Sequence, residues 1–152
     1  MSTQKIKSDI KEFKWSVIKV LADETGPAFA YSIGLTESFH HPEIILIGMD
    51  LDTMHTIINN CGYEIKNGLA YKSGVLYSGI LDDYKCAMLS VDKKYYGEYL
   101  GQAIEYYKSK SFPTLQCIYP TTSGVYPWQK EWPKEFDVRQ PVLGNIQELK
   151  NE

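Results

Sequence analysis

Imidazole and carboxylate side chains crowd together at His40-His41-Pro42-Glu43, a polar corner between two strand-like runs, Ala28 to Gly34 and Ile44 to Met49. Neighbouring residues of an extended chain point to opposite sides, so the two histidines do not readily share one ion, whereas His41 and Glu43 can point the same way. That pair would supply two metal ligands, or a base and the group that orients it for a hydrolase, and His55 is a candidate third ligand. Zinc takes a closed set of three or four ligands with outer support, and no H-x-H or H-E-x-x-H spacing occurs here. The sequence therefore assigns no metal site. The competing reading is a capped corner in which Glu43 accepts hydrogen bonds near Tyr31 or Ser32.

Other reactive groups form weaker patterns. Ser32, Ser38, Cys61, Cys86 and Cys117 are available nucleophiles, but no G-x-S-x-G turn is present. The cysteines form no C-x-x-C pair and each lies in an apolar pattern, which predicts buried structural thiols. Asp82-Asp83, and Glu131 with Glu135, read as turn and surface carboxylates. Thr121-Thr122-Ser123-Gly124 is a hydroxyl-rich loop whose backbone could hold an anion, without the Gly-Lys-Ser/Thr of a Walker loop. Tyr126-Pro127-Trp128 and Trp132-Pro133 then set aromatic rings on a backbone stiffened by proline. Such rings wall a planar ligand or lid a core. If this segment met the histidine corner, one cleft would form between them. Tyr31, Ser32, His41 and Glu43 would line one side, and Tyr119, Tyr126 and Trp128 the other.

The elements that must position these groups follow from periodicity. The first dozen residues read as an arm or short helix, residues 13–144 as the core and 145–152 as a tail. Phe13 to Ala22 alternates and is β-branched and aromatic, which predicts a strand. The turn signal Asp23-Glu24-Thr25-Gly26-Pro27 then predicts an antiparallel hairpin with Ala28 to Gly34. Ile44 to Met49 is apolar throughout, as in a strand covered on both faces. Asp50 is a helix cap, and Leu51, Met54, Ile57, Ile58, Cys61 and Ile65 recur at helical spacing up to Lys66-Asn67-Gly68. A second hairpin is predicted from Gly74 to Leu81 and Tyr84 to Val91, then a helix from about Tyr95 to Lys108, then a strand at Thr114 to Tyr119. The order predicts one α+β domain: a strongly bent antiparallel sheet or a partly closed barrel, two packed helices and an irregular C-terminal segment.

With these residues placed, the chain resembles a family of small, mostly bacterial proteins known only as a domain of unknown function. The likeness rests on Phe29 through Gly48, on the central helix ending near Gly68, and on Tyr119-Pro120, Gly124, Pro127-Trp128 and Gln140-Pro141. It implies a compact cytoplasmic domain and carries no activity. A looser likeness of pattern, with Ser32, Thr36 and Ser38 before a proline and an apolar strand, is to the split-barrel flavin-binding fold.

Composition narrows the classes. The 152 residues fit one domain, 43% hydrophobic and 23% charged, so disorder is not expected inside it. A formal net charge of −3 lacks the basic field that a phosphate backbone demands, which argues against nucleic acid. The longest apolar run, Ile44 to Met49, is too short to span a membrane, and the polar start lacks a signal-peptide core, so a cytoplasmic location is expected. No cofactor is required by any motif. The leading expectation is a non-enzymatic small-molecule binder, with a nucleotide-like molecule as one candidate ligand, in the cleft between the histidine corner and Trp128. The rivals are a hydrolase using His41 and Glu43, a flavin protein, and a protein–protein adaptor or homodimer built on the Trp128–Trp132 face.

Overall fold

The computed structural model describes residues 1–149. In chain order the elements are α1 (Thr3–Phe13), β1 (Ser16–Val20), β2 (Phe29–Ile33), α2 (Leu35–Phe39), β3 (Glu43–Ile47), α3 (Leu51–Lys66), β4 (Val75–Tyr77) and β5 (Cys86–Ser90). A 3-10 turn at Lys93–Tyr95 then leads to α4 (Tyr96–Tyr99), α5 (Gly101–Tyr107), β6 (Thr114–Ile118), α6 (Phe136–Arg139) and a last 3-10 turn at Ile146–Leu149. The α+β class is as expected. The six strands form one sheet in the order β1-β2-β3-β6-β5-β4. That sheet is open rather than closed into a barrel. Nor is it wholly antiparallel: β3 and β6 run parallel, with Glu43 beside Thr114 and Ile45 beside Gln116.

Alternating residues send the sheet into two apolar layers. Val17, Ala30, Ile44, Leu46, Leu115, Cys117 and Met88 pack under α3, which contributes Met54, Ile57, Ile58, Cys61 and Ile65 at the predicted spacing. Each fully buried side chain of this size is worth roughly 1.5–3 kcal/mol, so this face alone outweighs the helix propensities involved. The helix is capped as expected, with Asp50 Oδ1 accepting from the backbone N–H of Asp52 at 3.0 Å and of Thr53 at 3.3 Å. Trp15 lies hard against the glycine at 62: a Cβ there would stand 2.6 Å from the indole. The three thiols are free and buried, as predicted. The alternate residues, Ile18, Tyr31, Ile33, Ile45 and Ile47, face Ile6 and Ile10 of α1, Tyr96 of α4, Ala103 of α5 and Leu100 between those two helices.

Several boundaries differ from the sequence reading. The strand expected from Phe13 begins at Ser16, because α1 continues to Phe13 and ends on Lys14 in the left-handed region, its N–H on Ile10 O. The corner after Gly34 contains a helical turn, α2, instead of a loop. The helix expected over 95–108 breaks at Leu100 (φ −113°, ψ 33°) into α4 and α5, yet its apolar stripe packs as predicted. The C-terminal segment is packed, with Leu143 and Leu149 buried; of the expected tail, residues 150–152 lie outside those described. No helix among the described residues is long and apolar enough to cross a membrane.

Two side-chain amides stitch that segment to the sheet. Gln116 on β6 donates from Nε2 to Pro141 O at 2.8 Å and accepts at Oε1 from Leu143 N at 2.8 Å. Gln140 answers in kind, accepting from Tyr119 N at 3.1 Å and donating to Tyr119 O at 2.9 Å. Each buried amide thus acts as a short piece of strand, pairing the backbone groups of Tyr119, Pro141 and Leu143 that face it.

Candidate functional site

At the N-terminal end of β3 the histidine corner is solid. Glu43 is fully buried and takes five donors: Ser32 Oγ at 2.7 Å, Tyr107 Oη at 2.5 Å, and the backbone N–H groups of Gly34 at 3.2 Å, Leu35 at 3.2 Å and Thr36 at 3.1 Å. The hydroxyls cannot turn away. Ser32 Oγ already accepts from Ile44 N at 2.9 Å, and Tyr107 Oη from Gly34 N at 3.1 Å, so each directs its proton at the carboxylate. Burial pushes the Glu43 carboxyl above its ordinary range, and the donors pull it down again in part. His41, 5% exposed, goes elsewhere. Its Nε2 accepts from Tyr71 N at 3.0 Å, so Nδ1 carries the proton and donates to Pro42 O at 2.8 Å.

Both nitrogens of His41 and both oxygens of Glu43 are therefore spent on structure, and they serve different partners. The paired-ligand and hydrolase readings do not survive this geometry. Among the described residues no grouping of three or more His, Cys, Asp or Glu side chains could hold a metal. The hydroxyls of the flavin reading are occupied too: Thr36 Oγ1 donates to His41 O at 2.8 Å and Ser38 Oγ to Lys14 O at 2.7 Å. Tyr31, 2% exposed, lies in the α4–α5 layer and accepts from Gln102 N at 3.2 Å; burial pushes its phenol up to about 12.

His41 has a testable consequence for pH. Burial lowers its pKa below the ordinary 6.5, so below that value the unfolded chain binds more protons and stability falls with falling pH. A proton on Nε2 would also face the Tyr71 N–H. The loss begins as pH drops through 6.5 and continues down to the folded value, with a slope no steeper than about 1.4 kcal/mol per pH unit. Glu43 titrates with the opposite sign, so the quantity to measure is the difference in unfolding free energy between wild type and His41→Gln from pH 8 to 5. A difference that stays flat over that range would dispose of the assignment.

The expected cleft between this corner and Trp128 is not formed. Because β3 and β6 are parallel, His41 and Glu43 stand at their N-terminal end while Tyr119 follows their C-terminal end, about 16 Å further along the strands. Trp128 packs instead over Ala87, Leu89 and Ile118, with the Tyr126 ring stacked on it at 4.7 Å. Tyr126 Oη donates to Lys85 O at 2.7 Å and so ties the β4–β5 loop to this segment.

A different concavity lies at that C-terminal end. It holds about 270 Å³ and is lined by Met49, Leu81, Tyr84, Tyr119, Pro120, Thr121, Thr122, Trp132, Phe136, Arg139 and Gln140. Topology makes it: from adjacent parallel strands, β3 leads into α3 on one face, while the chain after β6 returns over the other through α6 and Gln140. Where neighbouring strands send their connections to opposite faces, a crevice opens beyond their carboxyl ends. Tyr119, the one residue of the expected cleft that lies here, donates from Oη to Ile47 O at 2.6 Å, and burial pushes its phenol up to about 12. Trp132 is held by Nε1 donating to Asp137 Oδ1 at 2.8 Å and meets Phe136 at 5.6 Å between centroids. Arg139 sits at the rim, 5.6 Å from the Phe136 ring, with Nε donating to Gly48 O at 3.3 Å. Sequence reasoning named the Trp132 ring and the hydroxyl loop at Thr121 and Thr122 but assigned Arg139 and Gln140 no chemical role. A single arginine after a four-residue helix carries no periodic or motif signal.

No curated protein and no solved structure matches the chain. One family does, over residues 9–133, a span that holds all six strands and Trp132. The family model is that of a Domain of unknown function (DUF4262), and the chain belongs to this family.

Proposed function

We propose that this domain binds a small molecule in the crevice beyond β3 and β6. The observation that carries the reading is the lining itself: a concave, largely apolar surface with four aromatic rings at a topological switch point, and one cation at its edge. The lining contains no His, Cys, Ser, Asp, Glu or Lys, so the Thr121 and Thr122 hydroxyls have no general base among the lining residues to activate them. Its Tyr119 hydroxyl is already committed to Ile47 O. Binding without turnover fits this chemistry better than hydrolysis does.

Trp132 supplies a rigid ring at low entropy cost, which is the usual anchor of such sites. A thermal-shift screen of the purified chain against a metabolite panel should return hits that Trp132→Ala weakens by about tenfold or more, read by calorimetry. Because Trp132 is half-buried, the variant should still unfold cooperatively. Hits that bind Trp132→Ala as tightly as wild type would place the site elsewhere.

A further inference from the structure

We infer that the ligand of this crevice is a planar aromatic or heteroaromatic acid with a single negative charge, its ring against Trp132 and Phe136 and its carboxylate on Arg139. The inference rests on the crevice being a small-molecule site and adds the chemical class.

The charge argument comes first. Arg139 is the sole cation in the lining. It pairs with no carboxylate; among the described residues the only ion pair is Lys5 with Asp9. Its Nε is used weakly on Gly48 O at 3.3 Å and the guanidinium lies beside the Tyr119 hydroxyl, so a carboxylate at the rim would be met by its terminal nitrogens. The flanking segments hold no reserve of positive charge. Asp82, Asp83, Glu135 and Asp137 stand against Lys85, Lys134 and Arg139 itself. A monoanion is matched by one guanidinium here, whereas a diphosphate or triphosphate would meet surplus negative potential.

Several other polar groups of the lining are spent, while the Thr121 and Thr122 hydroxyls remain able to donate. Tyr84 Oη donates to Thr122 O, Tyr119 Oη to Ile47 O, and the Gln140 amide serves both backbone groups of Tyr119. Recognition therefore rests mainly on apolar ring contact and one charge, with the Thr121 and Thr122 hydroxyls as neutral donors beside them. The 270 Å³ volume lies just below the roughly 300–1,000 Å³ typical of drug-sized ligands, which suits one or two fused rings with a short acidic arm.

The test is calorimetric titration of the full chain with benzoate, phenylacetate, nicotinate and indole-3-acetate, each beside its neutral amide, and with AMP. At least one acid should bind about tenfold or more tightly than its amide, and no tighter binding should appear with AMP. Arg139→Gln should remove that advantage while leaving the amide's affinity unchanged. The class is overturned if no acid binds, if amides bind as well as acids, if AMP binds more tightly than every acid, or if Arg139→Gln leaves the acid's affinity intact. In each case the metabolite screen with Trp132→Ala still judges the crevice by itself, so the two failures are separable.

Discussion

Glu43→Gln should cost about 3–5 kcal/mol of unfolding free energy, a large share of the roughly 5–15 kcal/mol that holds a domain together. The side chain keeps its shape, so the cost is chemical. Five donors converge on two oxygens that can only accept. An amide replaces one of those oxygens with two N–H groups aimed at donors, and buried donors lose their partners with no water to replace them. The first turn of α2 depends on this, since the backbone N–H groups of Gly34, Leu35 and Thr36 are satisfied by the carboxylate. Removing only the Tyr107 hydroxyl, in Tyr107→Phe, should cost about 1–2 kcal/mol. Denaturant unfolding of the three proteins measures both values. If Glu43→Gln proved as stable as wild type, the cage would not be organised around an ionised carboxylate.

Gly48→Ala is the second large effect, and it acts on the crevice as well as on stability. Gly48 ends β3 at φ +96°, a conformation costly for any residue with a Cβ. A Cβ there would stand 2.2 Å from Arg139 O and 2.7 Å from Tyr119 Oη. The first neighbour is backbone, so α6 must move, and with it the guanidinium and the Phe136 ring. Strain and overpacking together should destabilise by about 2–4 kcal/mol. Any ligand found in the screen should lose affinity at the same time. Gly26→Ala is the control, because nothing lies within 4 Å of its Cβ position; its change should stay within about 1 kcal/mol. A Gly48→Ala protein that kept both its stability and its ligand would show that the C-terminal segment does not rest on this contact.

The sequence by itself determined most of the local structure. Asp50 and the 3.6-residue spacing from Met54 to Ile65 specified α3 and its buried face, and the unbroken run after Glu43 marked a strand covered on both sides. The hairpin of β1 and β2 and the burial of Cys61, Cys86 and Cys117 were legible in the same way. These features repeat every two to four residues, and the energies that select them act between near neighbours. The residues Glu43 and His41 were legible as chemistry but not as partners, because their use depended on donors 64 and 30 positions away, on Tyr107 and Tyr71.

Only the tertiary structure decided where the candidate site lies. Periodicity does not say that β6 inserts beside β3, or that the two run parallel, and that one pairing separates the histidine corner from Tyr119. The same pairing opens the crevice by sending two connections to opposite faces. Arg139 joins it because Gln116 and Gln140 pin the returning chain with side-chain amides that read, in sequence, as ordinary polar residues. Long-range register is set by which buried surfaces and backbone groups can all be satisfied at once, and no short window of residues contains that condition.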